Sequence, residues 1–126
     1  MMTVVDFRTS GGRYCIPVDA AVAVRSAAGL VPLPAPRAGV VGILPGGQPI
    51  TVLSVLGSGR DHILVLSAEG QTFGLLVEEV IGLSRVDDAA ISVAPDGQAE
   101  AFISGVISRD GGLVLVADPV ALAGRL

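Results

Sequence analysis

The side chains in this sequence that could do chemistry are few and scattered. His62 is the single histidine, set just before an apolar run, and a lone imidazole needs partners within hydrogen-bond reach to act as a base. Ser54, Asp61 and His62 do not make a nucleophilic triad, because no glycine-flanked elbow surrounds the serine. Glu78 and Glu79 are adjacent, so on a strand they point to opposite faces and cannot work as a carboxylate pair. Asp87-Asp88 reads as a solvated turn with no calcium-loop spacing after it. Gly46-Gly47 and Gly57-Ser58-Gly59 lack the Lys-Ser/Thr that completes a phosphate loop. Cys15 is alone, which excludes an internal disulfide and a thiolate metal cage, and its neighbours Tyr14 and Ile16 predict a buried, inert thiol. No enzyme, metal or cofactor is expected, and a binding module is.

The elements that would carry such a module centre on Gly70 to Leu83. Gly70 is a turn residue, and the strand after it is interrupted by Gly74. Phe73, Leu75 and Val77 share one face at period two; Leu76, Glu78 and Val80 share the other. A glycine inside a strand marks a bulge or the close approach of another group.

Composition agrees with short strands. The chain has 126 residues, one domain by length, and is 51% hydrophobic with only 3% aromatic residues, so its core must be aliphatic. With 17 glycines and 8 prolines it is rich in turns, and a helical bundle is not expected. The net charge is -4, every basic residue is an arginine, and no basic cluster is present. Nucleic acid is therefore a poor partner, since its affinity comes largely from phosphate neutralisation. The chain has no signal-peptide pattern at its N-terminus and no apolar run of membrane-spanning length. A cytoplasmic protein that is not membrane-inserted is expected.

In order, Thr3–Arg8 and Arg13–Val18 predict a first hairpin, and Asp19 an N-cap for a short helix over Ala20–Ala28. Leu30–Pro36 reads as a proline-rich extended connector. Strands follow at Val40–Leu44, Ile50–Val55 and His62–Ser67, then the central stretch. A short strand around Ile91-Ser92-Val93 precedes an Asp96-Gly97 turn, a hairpin from Phe102–Ser108 to Leu113–Ala117, and a helical turn over Val120–Leu126.

Two patterns occur twice. Tyr14-Cys15-Ile16-Pro17-Val18-Asp19 matches Phe73-Gly74-Leu75-Leu76-Val77-Glu78 as aromatic, small, aliphatic, any, Val, acidic. Val41-Gly42-Ile43-Leu44, Gly46-Gly47 and Ile50–Leu53 match Ser104-Gly105-Val106-Ile107, Gly111-Gly112 and Val114–Ala117. Each half reads as hairpin, excursion, hairpin, and can close as a small barrel. Two such barrels need a shared interface, and the cleft between them is the natural binding surface.

With Gly70-Gln71-x-x-Gly74-Leu75-Leu76-Val77-Glu78-Glu79-Val80, these segments give the chain an order that resembles the CheW-like family of bacterial chemosensory adaptors over essentially its whole length. Tyr14–Val18, Val41-Gly42-Ile43, Pro49–Leu53, Ile103–Val106 and Leu113–Val116 carry the likeness. The resemblance implies an all-β fold of two small, intertwined five-stranded β-barrels with one or two short helices. It implies a single domain, with one lobe over roughly 14–60 and a second over roughly 61–118 plus the N-terminal strand.

It also implies a non-enzymatic adaptor tying the cytoplasmic tip of methyl-accepting chemoreceptors to a CheA-type histidine kinase, recruited to membrane-associated receptor arrays. The receptor's helical hairpin would dock in an apolar groove using Val18, Ala21, Val24, Gly42, Ile63, Gly74 and Leu83. The kinase's regulatory domain would pair barrel to barrel near Gly47, Ile50, Val52 and Leu53. This chain departs from the family at Gly42-Ile43-Leu44-Pro45-Gly46-Gly47, which lacks the usual Asn and Arg, and at Ser54-Val55, where Asp-Leu is usual. The lost arginine removes a multidentate contact and keeps a second possibility open, an accessory adaptor that binds a receptor or another protein but not the kinase. A small-molecule barrel is disfavoured by the lack of convergent polar groups.

Overall fold

The computed structural model describes residues 1–93 and 101–126. Strands β1 (Met2–Thr9) and β2 (Gly12–Pro17) form the first hairpin. After a 3₁₀ turn at Val18–Ala20 come β3 (Ala21–Ser26), a second 3₁₀ turn at Ala27–Gly29 and β4 (Val31–Arg37). Strands β5 (Val40–Leu44), β6 (Ile50–Leu53), β7 (His62–Ala68), β8 (Gln71–Val77) and β9 (Glu79–Val86) follow. A third 3₁₀ turn at Asp88–Ala90 precedes β10 (Ile103–Arg109), β11 (Gly112–Ala117) and helix α1 (Pro119–Ala123). The β7–β8 and β10–β11 turns each put two consecutive residues at positive φ, Glu69-Gly70 (53° and 74°) and Asp110-Gly111 (52° and 77°). Such turns match the twist of paired strands, which is why acidic-Gly pairs stand there.

The strands make a five-stranded sheet, in the order β10-β11-β2-β1-β9, and a six-stranded one, β3-β7-β8-β6-β5-β4. Exchanging β1, β2, β3, β5 and β6 with β7, β8, β9, β10 and β11, respectively, turns the second sheet into the first, β4 aside. The registers agree as well. Gly42 pairs with Val52 and Val52 with Gly74; Gly105 pairs with Val116 and Val116 with Cys15. The internal repeat is therefore structural, with one exchange: the first hairpin of each half sits in the sheet built by the other. The chain crosses between sheets at Val18–Ala20 and at Glu78, so the sheets do not divide near residue 60, where the lobes were expected to divide.

Each sheet curls until its edges are a short turn apart. Strands β3 and β4 are the two edges of the second sheet, yet only the turn at Ala27–Gly29 separates them. Strand β9 edges the first sheet, and beyond its turn Ser92 bridges Val106 on β10, the opposite edge. No main-chain ladder joins the edges among the described residues, so these are curled open sheets, not closed five-stranded barrels, and β4 gives one of them a sixth strand. The closing edges carry bulges at Val22 and Ile81, which break regular pairing there.

Three segments differ from expectation, and the one expected as a short strand around Ile91-Ser92-Val93 holds only the isolated bridge at Ser92. Ala20–Ala28 holds strand β3, not a helix, because pairing with β7 from Ala21↔Leu66 to Ser26↔His62 suits alternating valines and overrides their helical spacing. The proline-rich connector is strand β4, paired only with β5 and so able to spare amide donors on its outer side. At the C-terminus Asp118 caps Val120 N (3.0 Å) and Ala121 N (3.4 Å), and α1 ends at Ala123. The expected Asp96-Gly97 turn lies outside the described residues.

Among the described residues three clusters make the core. The largest fills the space between the sheets with Phe7, Ile16, Leu53, Leu64, Phe73 and Leu75. Each sheet also buries a smaller cluster on its other face: Val4, Cys15, Val86, Ile107 and Val116 in the first, and Leu44, Ile50, Val52, Ile63 and Val65 in the second. Val86 and Ile107 come from opposite edges of one sheet and still share a cluster, as the curl requires.

Candidate functional site

An apolar groove of about 280 Å³ lies between the two bulged edge strands. Its floor is Val5 of β1 and Leu64 of β7, which occupy equivalent positions in the two halves. One wall is β3 with Ala21 to Val24, continued by Val18, and the other is β9 with Val80, Gly82 and Leu83. The walls are equivalent too: Ala21, Ala23 and Val24 pair with Leu66, Val65 and Leu64, as Val80, Gly82 and Leu83 pair with Phe7, Asp6 and Val5. The groove is thus built in duplicate, and small residues at Ala21, Ala23 and Gly82 keep it open. Gly82 adopts φ 151°, and a Cβ placed there would meet nothing within 4 Å.

Among the described residues no charged side chain lines it. Val22, Val24 and Leu83 are 59%, 51% and 67% exposed, a concentration of apolar surface that water disfavours. Both walls are sheet edges, but their bulges oppose the addition of a further strand. A helix presenting apolar side chains suits such a cleft better, since it needs no main-chain ladder.

Of the residues expected to bind partners, Val18, Ala21, Val24 and Leu83 come together in this groove. The others do not join them. Ile63 is fully buried in the second sheet's own cluster; period two turns Leu64, its neighbour, to the groove floor. Gly74 faces that same cluster, where a Cβ would lie 2.6 Å from Ile63 Cγ2 and 3.2 Å from Val52 Cγ2. Ile50 and Val52 are buried beside them. Gly42 lies under β4, where a Cβ would meet the Val31 carbonyl oxygen at 2.3 Å. Gly47 is exposed in the β5–β6 turn with open space around it. Val5, Val22, Ala23, Leu64, Val80 and Gly82 line the groove outside the expected set; the signal for the last two was the equivalence of the segments after the two repeated hairpins.

Among the described residues the titratable groups offer no reactive centre. Burial, and then the Asp6 carboxylate, push the Cys15 thiol up to about 11, so it stays protonated and unreactive near neutrality. Burial likewise raises Tyr14. His62 is exposed at the start of β7. Among the described residues no three His, Cys, Asp or Glu side chains gather as a metal site, and no helix is long and apolar enough to cross a membrane.

The scaffolding protein TtCheW from Thermoanaerobacter tengcongensis has the same fold, with a TM-score of 0.85 over 96% of this chain and 86% of that one, at 20% identity. No curated protein matches the sequence. The family model described as CheW-like domain matches residues 3–126. The chain therefore belongs to the CheW-like domain family, whose members are non-enzymatic adaptors of chemotaxis signalling.

Proposed function

We propose that this adaptor couples chemoreceptors to a CheA-type histidine kinase on the cytoplasmic side of receptor arrays, through surface contacts alone. The observation that carries the reading is the apolar groove with two equivalent, bulged walls, which suits the helical hairpin of a receptor's cytoplasmic tip. Val18, Ala21, Val24 and Leu83 would touch that hairpin. A receptor signalling fragment should bind the wild-type chain and fail to bind Val24→Asp or Leu83→Asp, because a carboxylate desolvated against an apolar helix goes unpaired. Unchanged binding by both folded variants would remove the groove from the account.

The kinase's regulatory domain would dock near Gly47, at the exposed β5–β6 turn, with Ile50 and Val52 shaping that strand from within. A second reading, an accessory adaptor that binds a receptor or another protein but not the kinase, is favoured by the same turn. It offers Pro45-Gly46-Gly47-Gln48 and no arginine to a partner. Titration with the kinase's regulatory domain separates the two, since micromolar binding would rule out the accessory role.

A further inference from the structure

We propose that Arg109, Asp6 and Ser84 form a side-chain seam that positions the β9 wall of the groove for its helical occupant; the binding half of this rests on the reading above. Arg109 ends β10, at the edge of the first sheet opposite β9. Its Nη1 donates to Ser84 Oγ on β9 at 2.9 Å and to Asp6 Oδ1 on β1 at 3.4 Å. The Ser84 hydroxyl in turn donates to Asp6 Oδ2 at 2.6 Å. One guanidinium thus ties together two edges that no main-chain ladder joins among the described residues. The tie falls where the groove is made. Ser84 follows Leu83, and Asp6 pairs with Gly82 beside the bulge.

The second sheet shows that the fold does not demand this arrangement. The residue equivalent to Asp6 is Val65, buried in an apolar cluster, and the one equivalent to Ser84 is Arg25, exposed on β3. Asp6 is only 6% exposed, and a carboxylate so placed is tolerable only while paired and hydrogen-bonded. Apolar packing does the structural task in one half, so the ionic seam in the other contributes something packing does not: a defined position for an otherwise open edge.

Amide hydrogen exchange on the free chain tests the seam. Ser84→Ala should speed exchange over Leu83–Val86 about ten-fold, the loss of a hydrogen bond of ordinary strength, and leave β7 and β8 unchanged. Ser84→Thr keeps the hydroxyl and should keep exchange slow. An apolar triple variant, Asp6→Val with Ser84→Ala and Arg109→Met, should fold as stably as wild type yet bind the receptor fragment several-fold more weakly. A purely structural seam would not separate those two readouts. Unchanged β9 exchange in Ser84→Ala, or wild-type affinity in the triple variant, would overturn the proposal. A wild-type chain that binds no receptor fragment would instead defeat the groove reading, with exchange still deciding whether the seam holds β9.

Discussion

Gly42 and Gly105 occupy the same point in two different sheets. Each follows a register shift, each pairs with a valine (Val52 and Val116), and each lies beneath a segment that crosses close above it. A Cβ on Gly42 would meet the Val31 carbonyl oxygen at 2.3 Å; one on Gly105 would meet Ile91 Cγ2 at 2.5 Å and the Ser92 oxygen at 2.9 Å. The two glycines let the strand or bridge after each 3₁₀ turn return onto the sheet's far edge, which is what curls the sheets.

Gly42→Ala should therefore destabilise the chain by about 2 kcal/mol or more, since main chain must move to admit the methyl. Gly105→Ala should cost less, because its nearest neighbour is a side-chain methyl able to shift. Urea unfolding of both variants checks the order, and equal or negligible losses would contradict it.

Gly74 and Ile63 carry the opposite expectation from Val24. Gly74→Trp should fail to fold, because an indole must displace Ile63 and Val52 within a closed cluster. Gly74→Ala should cost about 1–3 kcal/mol by the same contact. Val24→Asp, half exposed on an edge strand, should change stability by only about 0.5 kcal/mol. Thermal unfolding of the three distinguishes a core position from a surface one.

Positions 24, 63 and 74 also separate what the sequence shows locally from what only the fold decides. The duplicated hairpins and the all-β class were legible, because period-two alternation and turn chemistry are local; that Gly74 faces a buried cluster and not the groove was not. Which of Ile63 and Leu64 faces the groove was not, since both are apolar and a one-residue difference reverses the face. Alternating alanine and valine in Ala21–Val24 satisfied helical spacing as well as strand spacing, and only the ladder to β7 decided it. The exchange of hairpins between halves leaves no local mark either. Self-similar segments show that a unit recurs, not which sheet it joins.

The buried thiol predicts a pH dependence. The folded chain raises Cys15 from 9.0 to about 11, so above pH 9 the unfolded chain releases the proton first and the folded state binds more protons. Stability should be unaffected below pH 9 and fall as pH rises from 9 to about 11, by up to about 2 kcal/mol. Tyr14, also raised, acts in the same direction at higher pH. Cys15→Ala should flatten the part between pH 9 and 11 in denaturant titrations; an unaltered slope would contradict the burial argument. In native buffer near pH 7, thiol reagents should label Cys15 only as the chain unfolds.

The central claim is that the cleft between β3 and β9 receives another protein's helices. Hydrogen exchange with and without a receptor signalling fragment reads this directly. Slowed exchange confined to Ala21–Ser26 and Glu79–Ser84, with β4 and α1 unchanged, is the predicted footprint. Protection that spares both edge strands and falls elsewhere on the molecule would contradict it.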